Sequence, residues 1–414
     1  MAAGQGDEKR VDFGVGVVLP AAGCGERMKL PVPKQFCEVF GRPLICYTIE
    51  CFHRHAWIRQ IVVATSKEHV DLLRDIVDKA GFSRVMVVEG GATRHRSIHA
   101  ALKTLQQVCA DIDVVMIHDA VRPFVSGDML KKMVWTARSH GAAGVCRPLV
   151  STVIARDEQH VMTESLDRRR FVASEMPQAF QTSVISAAYD QCTIEDFEHG
   201  TECLLLAMKY VGVRATVLDG NPDLWKVTYK KDLLAAEGVI KERLMRIKVI
   251  GADRQEDVAG AIRTALQGHQ LQLADGPVGN HTLPQPSSFG DLTSPTAPAV
   301  NTFILLHADL TRVDSAEKLS AVQREHLPVA PRPQLIDFTF LHIFLMTDEA
   351  DITEKQAALL KVVMQLASEG RTKNQQIFGI LAVMDQAPDR LGKMAASVLL
   401  RGHADFSGQI FLVL

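Results

Sequence analysis

Three features that would direct a chain to a membrane, to nucleic acid or to an oxidising compartment are missing from this sequence. No apolar run approaches the ~18 residues of a membrane span, and the polar start MAAGQGDEKRVDFG lacks the apolar core of a secretory signal. The formal net charge is only −2, so there is no global basic field for nucleic acid. The eight cysteines form no CxxC pair, which is typical of reduced cytosolic thiols. We therefore expect a cytosolic protein without membrane or nucleic-acid partners.

The chain does contain enough apolar material for more than one globular core. Of its 414 residues, 47% are apolar and 23% are charged, and this length suits two or three domains. We assign residues 1–13 to a flexible N-terminus, 14–246 to a first domain and 247–414 to a smaller second domain. Residues 275–299 of the second domain are rich in Pro, Ser and Gly and are predicted to form a flexible loop.

Both domains alternate strand-like and helical stretches. VGVVLP, QIVVAT, RVMVVEGG and DVVMIHDA are short valine-rich runs that end at small or polar residues, as buried strands do. KEHVDLLRDIVDKAG is a helical pattern with a glycine stop. The alternation predicts an α/β fold with a Rossmann-like, mostly parallel sheet and helices on both faces. Ligands of such sheets bind beyond the carboxyl ends of the strands.

The stretch VVLPAAGCGERMKLPVPKQF, residues 17–36, combines a strand end, small residues and positive charge. The residues that leave the backbone bare are Ala21, Ala22, Gly23 and Gly25. Successive N–H groups there can face one anion, and Arg27 and Lys34 can donate to phosphate oxygens. GxG alone is typical of a tight turn, and GxxxxGK[ST] and the third glycine of GxGxxG are absent. The combination nevertheless predicts a phosphate site.

Two charged residues follow the run DVVMI. The Asp119 carboxylate is expected at the ligand edge of the sheet, where it suits Mg²⁺ bridging phosphate oxygens. A cap for the next turn is the alternative role. Arg122 could contact substrate or brace Asp119, and the sequence favours neither.

Other candidates lie in two further segments. Gly91 would allow a flat base to approach Arg94 and Ser97, although spacing alone favours an ordinary helix start there, with Thr93 as its cap. Lys226 lies in LWKVTY, an alternating stretch predicted to be a strand, where an inward lysine is unusual unless it meets an anion. Asp223 could help to hold a metal ion or could end a turn.

Together these stretches resemble the methylerythritol-phosphate cytidylyltransferase family, whose members join CTP to a sugar-alcohol phosphate. The matching segments are PAAGxGxRM with PKQ, GGATRHRSI (90–98), IHDAVRPF (117–124), SEMPQAF (174–180) and PDLWKVTYKKDLLAAE (222–237). They occur in order between about residues 14 and 245. The resemblance implies a homodimer that uses CTP, a polyol phosphate and Mg²⁺ or another divalent cation.

The resemblance also implies roles for individual residues. The catalytic residues would be Arg27, Lys34 and Lys226. The nucleotide would contact Ala21, Ala22, Gly23, Gly25, Gly91, Arg94, Ser97, Asp119 and Arg122. The acceptor would contact Thr152, Arg168 and Thr201, and the metal Asp119 and Asp223. Residues 150–175 would form a hairpin arm that brings Arg168 to the partner subunit, although Arg169 or Arg170 could be the contact instead.

The acceptor side departs from the methylerythritol-phosphate branch. Ser151-Thr152 replaces a usual D-T pair, Met176-Pro177-Gln178 replaces T-P-Q, and Thr201-Glu202 replaces T-D. With the extra C-terminal domain, these changes resemble a vertebrate branch that makes CDP-ribitol from D-ribitol 5-phosphate for the glycan of α-dystroglycan. We expect that reaction. The alternatives are methylerythritol phosphate or another polyol phosphate as acceptor, or an inactive scaffold, which the retained charged residues argue against.

Overall fold

The computed structural model describes residues 10–251, 256–269, 271–274, 300–310, 313–325, 338–346, 352–371, 375–383, 388–401 and 407–413. Its described residues divide into two compact units, the first ending at Leu233 and the second beginning at Leu234. This division lies inside a helix and precedes the boundary that the sequence suggests. The loop predicted at 275–299 lies outside the described residues.

The first unit alternates strands and helices over its whole length. Its strands are β1 (Val15–Pro20), β2 (Glu38–Val39), β3 (Arg42–Pro43), β4 (Ile58–Thr65), β5 (Val85–Glu89), β6 (Val114–Ile117), β7 (Ala142–Pro148), β8 (Ile154–Arg156), β9 (Met162–Ser165), β10 (Val172–Gln181) and β11 (Thr216–Asp219). Its helices are α1 (Leu44–His53), α2 (Val70–Lys79), α3 (Arg94–Val108), α4 (Gly127–His140), α5 (Thr182–Asp190), α6 (Ile194–His199) and α7 (Cys203–Val211). Helix α8 (Lys230–Leu244) contains the point of division.

Seven of these strands form one sheet in the order β11-β7-β10-β6-β1-β4-β5. Strand β10 is antiparallel to β6 and β7, and the other neighbours are parallel. One apolar cluster packs α1, α2 and α4 on one face, and another packs α3, α5 and α7 on the other. Because both faces are covered, β6 is buried throughout, which explains its unbroken apolar sequence. The predicted mostly parallel α/β fold is confirmed.

The arm is a hairpin inserted between β7 and β10. Strands β8 and β9 pair antiparallel, with Ile154 opposite Ser165 and Ala155 opposite Glu164. Every residue of β9 is exposed. The predicted pairing of STVIARD with HVMTESL is therefore confirmed.

The second unit contains a six-stranded sheet, all of whose neighbouring strands are parallel. Its strands are β12 (Arg246–Ile250), β13 (Gln272–Leu273), β14 (Thr302–His307), β15 (Phe338–Met346), β16 (Gln375–Val383) and β17 (Ile410–Val413). Its further helices are α9 (Glu256–Gly268), α10 (Ala316–Arg324), α11 (Ile352–Arg371) and α12 (Pro388–Arg401). The strand order β13-β12-β14-β15-β16-β17 reverses direction between β12 and β14, as in doubly wound folds.

Two sequence-based expectations are wrong in part. Val11 is buried and Phe13 packs edge-on against Trp135, so the flexible N-terminus does not extend to residue 13. The stretch LWKVTY is not a strand. Its Val227 N–H donates to the carbonyl of Val121 at 3.1 Å, but the Val227 carbonyl is taken by the Lys34 side chain instead of a neighbouring strand. Across the ranges given above, no helix combines the length and apolar composition that crossing a membrane requires.

Candidate active site

A cavity of about 490 Å³ lies beyond the carboxyl ends of β1, β5 and β6 in the first unit. It is lined by Pro20, Ala21, Ala22, Gly23, Cys24, Gly25, Glu26, Arg27, Lys34, Gln35, Gly91, Ala92, Thr93, Arg94, Ser97, Asp119, Ala120, Val121, Lys226 and Thr228. Segments far apart in sequence meet there because parallel strands present their carboxyl ends at one edge of the sheet. The three predicted catalytic residues and all the predicted nucleotide-binding residues except Arg122 are among these residues.

The loop after β1 is held open by a side chain that follows it. The Gln35 amide donates to the Ala21 carbonyl at 2.7 Å and to the Gly23 carbonyl at 3.0 Å. These two carbonyl oxygens, which would repel an anion, are thereby directed toward the Gln35 amide. Gly25 has a φ of 76°, and a Cβ there would lie 3.1 Å from the Lys34 backbone nitrogen, so any larger residue would be strained at this position.

Lys34 is only 9% exposed, which is rare for lysine. Its Nζ donates to the Val227 carbonyl at 3.0 Å. Burial, with the nearby charges of Lys226 and Arg27, lowers the pKa of Lys34 to about 8. Arg27 itself is exposed, with its guanidinium 5.9 Å from the centre of the Tyr229 ring. On the side of this loop, the cavity is therefore lined by the buried ammonium group of Lys34 and by the exposed guanidinium group of Arg27.

The second wall is the turn from β5 into α3. Thr93 caps α3 by accepting from the Arg96 N–H, and Ser97 Oγ accepts from the Gly91 N–H at 3.1 Å. Ser97 Oγ also lies 3.0 Å from the Thr93 carbonyl. A Cβ on Gly91 would lie 2.3 Å from that of Arg96, so the turn leaves no room for a larger residue. The helix-start role of Thr93 is confirmed, and Ser97 shapes the turn that lines the cavity.

Asp119 lies at the centre of a cluster of cations. Its carboxylate is 3.0 Å from Arg122 Nε, 3.1 Å from Lys226 Nζ and 3.3 Å from Arg94 Nη2. Burial alone would raise the pKa of Asp119, but Lys226, Arg94 and Arg122 outweigh it and hold the pKa far below its usual range. Asp119 is therefore ionised and holds three cations at one edge of the sheet. The cap-only role is excluded by these ion pairs.

Arg122 has the bracing role that the sequence left open. Besides Asp119, its guanidinium donates to the Glu175 carboxylate and to the Leu224 carbonyl. Arg122 is buried and is not part of the cavity lining. The structure thus gives no support to its predicted contact with the nucleotide, because its donors are directed to protein groups.

The predicted acceptor residues are not part of the cavity lining. Thr152 and Arg168 are exposed on the arm, where Arg168 Nη1 donates to the Val150 carbonyl at 2.9 Å. Arg169 forms an ion pair with Asp167, 2.8 Å between Nη2 and Oδ2. The Thr201 carbonyl lies 3.5 Å from Arg94 Nη1, at the margin of the site.

The branch-specific residues Met176 and Glu202 lie near this margin. Arg94 Nη2 is 3.9 Å from Met176 Sδ. The Glu202 carboxylate accepts from the Ser174 hydroxyl at 2.7 Å and from the Gln178 amide. It also caps α7 by accepting from the Leu204 N–H at 3.1 Å. Met176 thus contacts Arg94 of the cavity lining, and Glu202 is hydrogen-bonded to Ser174 and Gln178 on the same strand as Met176.

The residues present fit a magnesium ion that takes most of its ligands from phosphates and water. Among the described residues, no group of three or more His, Cys, Asp or Glu side chains could hold a metal. The cavity lining contributes the carboxylates of Asp119 and Glu26, and Mg²⁺ on nucleotides often uses only one or two carboxylates. The predicted ligand Asp223 is not part of that lining; its N–H donates to the Asn221 side chain at 2.8 Å.

Sequence reasoning missed two charged partners, the buried Glu175 and the half-buried Arg147. Arg147 Nε lies 3.0 Å from Glu175 Oε1, and Arg147 Nη1 donates to the Pro222 carbonyl at 3.0 Å. The one available signal was a charged residue, Glu175, within the otherwise apolar segment EMPQAF. Its partners lie far away in sequence, so no spacing rule could have connected them.

An open glycine loop, a shaped turn and several cations around one carboxylate define a nucleotidyltransferase site on an α/β sheet. The family model described as IspD, 2-C-methyl-D-erythritol 4-phosphate cytidylyltransferase, matches residues 15–242. The chain therefore belongs to this family and is a cytidylyltransferase, an enzyme that uses CTP and a sugar phosphate.

Two relatives named for cytidylyl transfer agree with this assignment. A D-ribitol-5-phosphate cytidylyltransferase of Homo sapiens is 37% identical over 415 residues, which cover 96% of this chain and 90% of that protein. One of Xenopus tropicalis is 54% identical over 245 residues, which cover 58% of this chain and 60% of that protein. The crystal structure of 4-diphosphocytidyl-2C-methyl-D-erythritol synthase from Anaerococcus prevotii is 24% identical with a TM-score of 0.47, covering 55% of this chain and 96% of that one.

Proposed function

We propose that this protein transfers the cytidylyl group of CTP to D-ribitol 5-phosphate, forming CDP-ribitol and pyrophosphate. The observation that carries the chemistry is the convergence of Lys34, Lys226 and Arg94 on one cavity beside the bare loop after β1. The acceptor is supported by the human and Xenopus relatives named for ribitol 5-phosphate. The use of the product for the α-dystroglycan glycan stays a prediction.

The proposed reaction is an in-line displacement at phosphorus. An oxygen of the acceptor phosphate attacks the α-phosphorus of CTP, and the bond to the β-phosphate oxygen breaks as pyrophosphate leaves. The acceptor oxygen is already anionic near neutral pH, so no strong general base is required. The protein's contribution is to bring two polyanions together and to offset the charge that accumulates in the transition state.

Particular residues are proposed for these tasks. The loop N–H groups after β1 and the guanidinium of Arg27 would bind the triphosphate, and Gly91, Arg94 and Ser97 would receive the base. The ammonium groups of Lys34 and Lys226 would face the reacting phosphate. Lys226 is already on the cavity wall, 3.1 Å from Asp119, so its charge needs little rearrangement to meet a substrate.

A divalent cation is proposed as the cofactor, held by Asp119 together with substrate oxygens. The other predicted ligand, Asp223, lies outside the cavity lining. When bound, Mg²⁺ neutralises phosphate charge. The Asp119 carboxylate forms ion pairs with three side chains, those of Lys226, Arg94 and Arg122. It would therefore interact with the metal and with these side chains together.

A homodimer is proposed because the arm presents apolar side chains to solvent. Val150 is 91% exposed, Val161 59%, Met162 56% and Val172 52%. A second copy would cover such residues, and Arg168 could then reach the acceptor phosphate in the partner's cavity with Thr152 and Thr201. Placement in the cytosol is supported by the eight cysteines, all of which are free thiols.

The test is an acceptor panel with the purified full chain. Pyrophosphate release is measured with CTP and Mg²⁺ plus ribitol 5-phosphate, methylerythritol 4-phosphate, another polyol phosphate or no acceptor. The expected result is turnover that is fastest with ribitol 5-phosphate. Faster turnover with methylerythritol 4-phosphate would assign the other acceptor, and no turnover with any acceptor would favour the inactive scaffold.

A further inference from the structure

The segment that carries Lys226 has almost no regular structure of its own. Residues 222–229 form neither a helix nor a strand before α8 begins at Lys230. Yet Lys226 Nζ lies 3.1 Å from the buried Asp119 carboxylate. A flexible lysine side chain on an irregular segment needs other ties to hold such a position.

After Lys226, the Val227 backbone is held by the Val121 carbonyl and by Lys34 Nζ. Before Lys226, the ties come from two arginines. Arg147 Nη1 donates to the Pro222 carbonyl at 3.0 Å, and Arg122 donates to the Leu224 carbonyl. The tied carbonyls belong to residues four and two positions before Lys226. Leu224 is also buried, so residues 222–224 are held by two backbone carbonyls and by one apolar side chain.

Both arginines share one carboxylate. Glu175 Oε1 accepts from Arg147 Nε at 3.0 Å, and Glu175 Oε2 pairs with Arg122 Nη1. Glu175 lies on β10, is buried, and is not part of the cavity lining. Its two oxygens therefore fix the direction of two guanidinium groups, each of which holds the Lys226 segment.

We propose that Glu175 is a positioning residue for the reaction: through Arg122 and Arg147 it holds residues 222–224 so that the Lys226 ammonium stays beside Asp119 at the reacting phosphate. Arg147 is the second member of this device. The inference deepens the proposed function and rests on it for its kinetic consequence. Its structural consequence, the position of Lys226, can be measured without any substrate.

The first variant is Glu175→Gln, which keeps the shape of the side chain and removes its charge. Because Lys226 would act mainly in the transition state, kcat is expected to fall roughly 10- to 100-fold while the KM for CTP changes little. The matched control is Glu50→Gln, since Glu50 is a buried carboxylate of the same unit that pairs with Arg42 and lies outside the cavity lining. The control is expected to lower the melting temperature and to leave kcat unchanged.

The second measurement reads the position of Lys226 directly. The rate at which acetic anhydride modifies Lys226 is followed by mass spectrometry in the absence of substrate. In Glu175→Gln the released ammonium is expected to react several-fold faster than in the wild type, whereas Glu50→Gln should leave the rate unchanged. Unchanged labelling in folded Glu175→Gln would overturn the inference, even if the protein proved to use another substrate.

The third measurement separates positioning from general destabilisation. In a Lys226→Met background, Glu175→Gln is expected to cause no further loss of turnover, because the group that it positions is gone. A further loss equal to that in the wild-type background would contradict the inference. Should Glu175→Gln fail to fold, Arg147→Gln severs the Pro222 tie and must show the same selective loss of kcat and faster labelling. Lack of wild-type turnover with every acceptor would instead refute the proposed function and leave the labelling result to decide.

Discussion

The two units of this chain both cover the two faces of a sheet with helices, but one buried polar network of the first unit differs in kind from one of the second. In the first unit the network consists of ion pairs among the buried residues Asp119, Arg122 and Glu175. In the second, His307 Nε2 and His342 Nδ1 lie 2.9 Å apart, and His342 Nε2 lies 2.9 Å from the Gln323 amide. These imidazoles are kept neutral by burial. One architecture thus supports a charged site and an uncharged hydrogen-bonded chain, so the sheet alone does not specify chemistry.

The largest expected effect tests whether catalysis depends on the charged cluster of the first unit. Lys226→Met should lower kcat by roughly 10²- to 10³-fold, because a preorganised charge at the reacting phosphate is lost. Lys248→Met, on β12 of the second unit, is the matched control and should leave kcat unchanged. Steady-state pyrophosphate release measures both. Equal losses in the two variants would remove the functional distinction between the units.

A smaller effect is expected from the arm. Arg168→Ala should lower kcat/KM for the acceptor roughly 10- to 100-fold, as expected when a charged hydrogen bond of about 1.5–3 kcal/mol is removed. Arg169→Ala is the control, since Arg169 already pairs with Asp167 on an exposed surface. The KM for CTP should change little in either variant. A larger effect from Arg169 would reassign the acceptor contact to that residue.

The pH dependence tests the buried ammonium of Lys34. Because burial lowers its pKa to about 8, the free enzyme loses this positive charge as the pH rises through that value. kcat/KM for CTP, which reports the free enzyme, should therefore fall up to about tenfold per pH unit above 8. In Lys34→Arg the fall should move to higher pH, since guanidinium stays protonated. The same fall in both proteins would exclude Lys34 as its source.

The smallest expected effect concerns the neutral chain of the second unit. Burial lowers the pKa of His307 to about 4 and that of His342 well below its ordinary value of 6.5. The unfolded chain therefore binds more protons between these values, and stability is lost as the pH falls from about 6.5 toward 4. The melting temperature should fall by a few degrees between pH 7 and pH 5, and His342→Phe should lessen that fall. An unchanged pH difference would contradict this assignment.

The sequence predicted the sheet and the glycine loop because both depend on local patterns. The run DVVMI ended as a buried strand, and Asp119 emerged at the expected edge. LWKVTY misled because alternation alone does not provide a neighbouring strand, and here the Val227 carbonyl binds Lys34 instead. The role of Glu175 on β10 could not be predicted, since Glu175 acts through Arg122 and Arg147 on backbone carbonyls that are distant in sequence. Long-range hydrogen bonds leave no period to detect.

Gln35 bears on how such a site could be transplanted. Its amide holds two carbonyls of a loop that begins more than ten residues earlier, so the loop's shape is encoded partly outside the loop. Grafting PAAGCGER alone onto another parallel sheet would carry over the flexible backbone without its restraint. A design that includes Gln35 and the short 3₁₀ turn Lys34–Phe36 would import the loop together with the group that orients it.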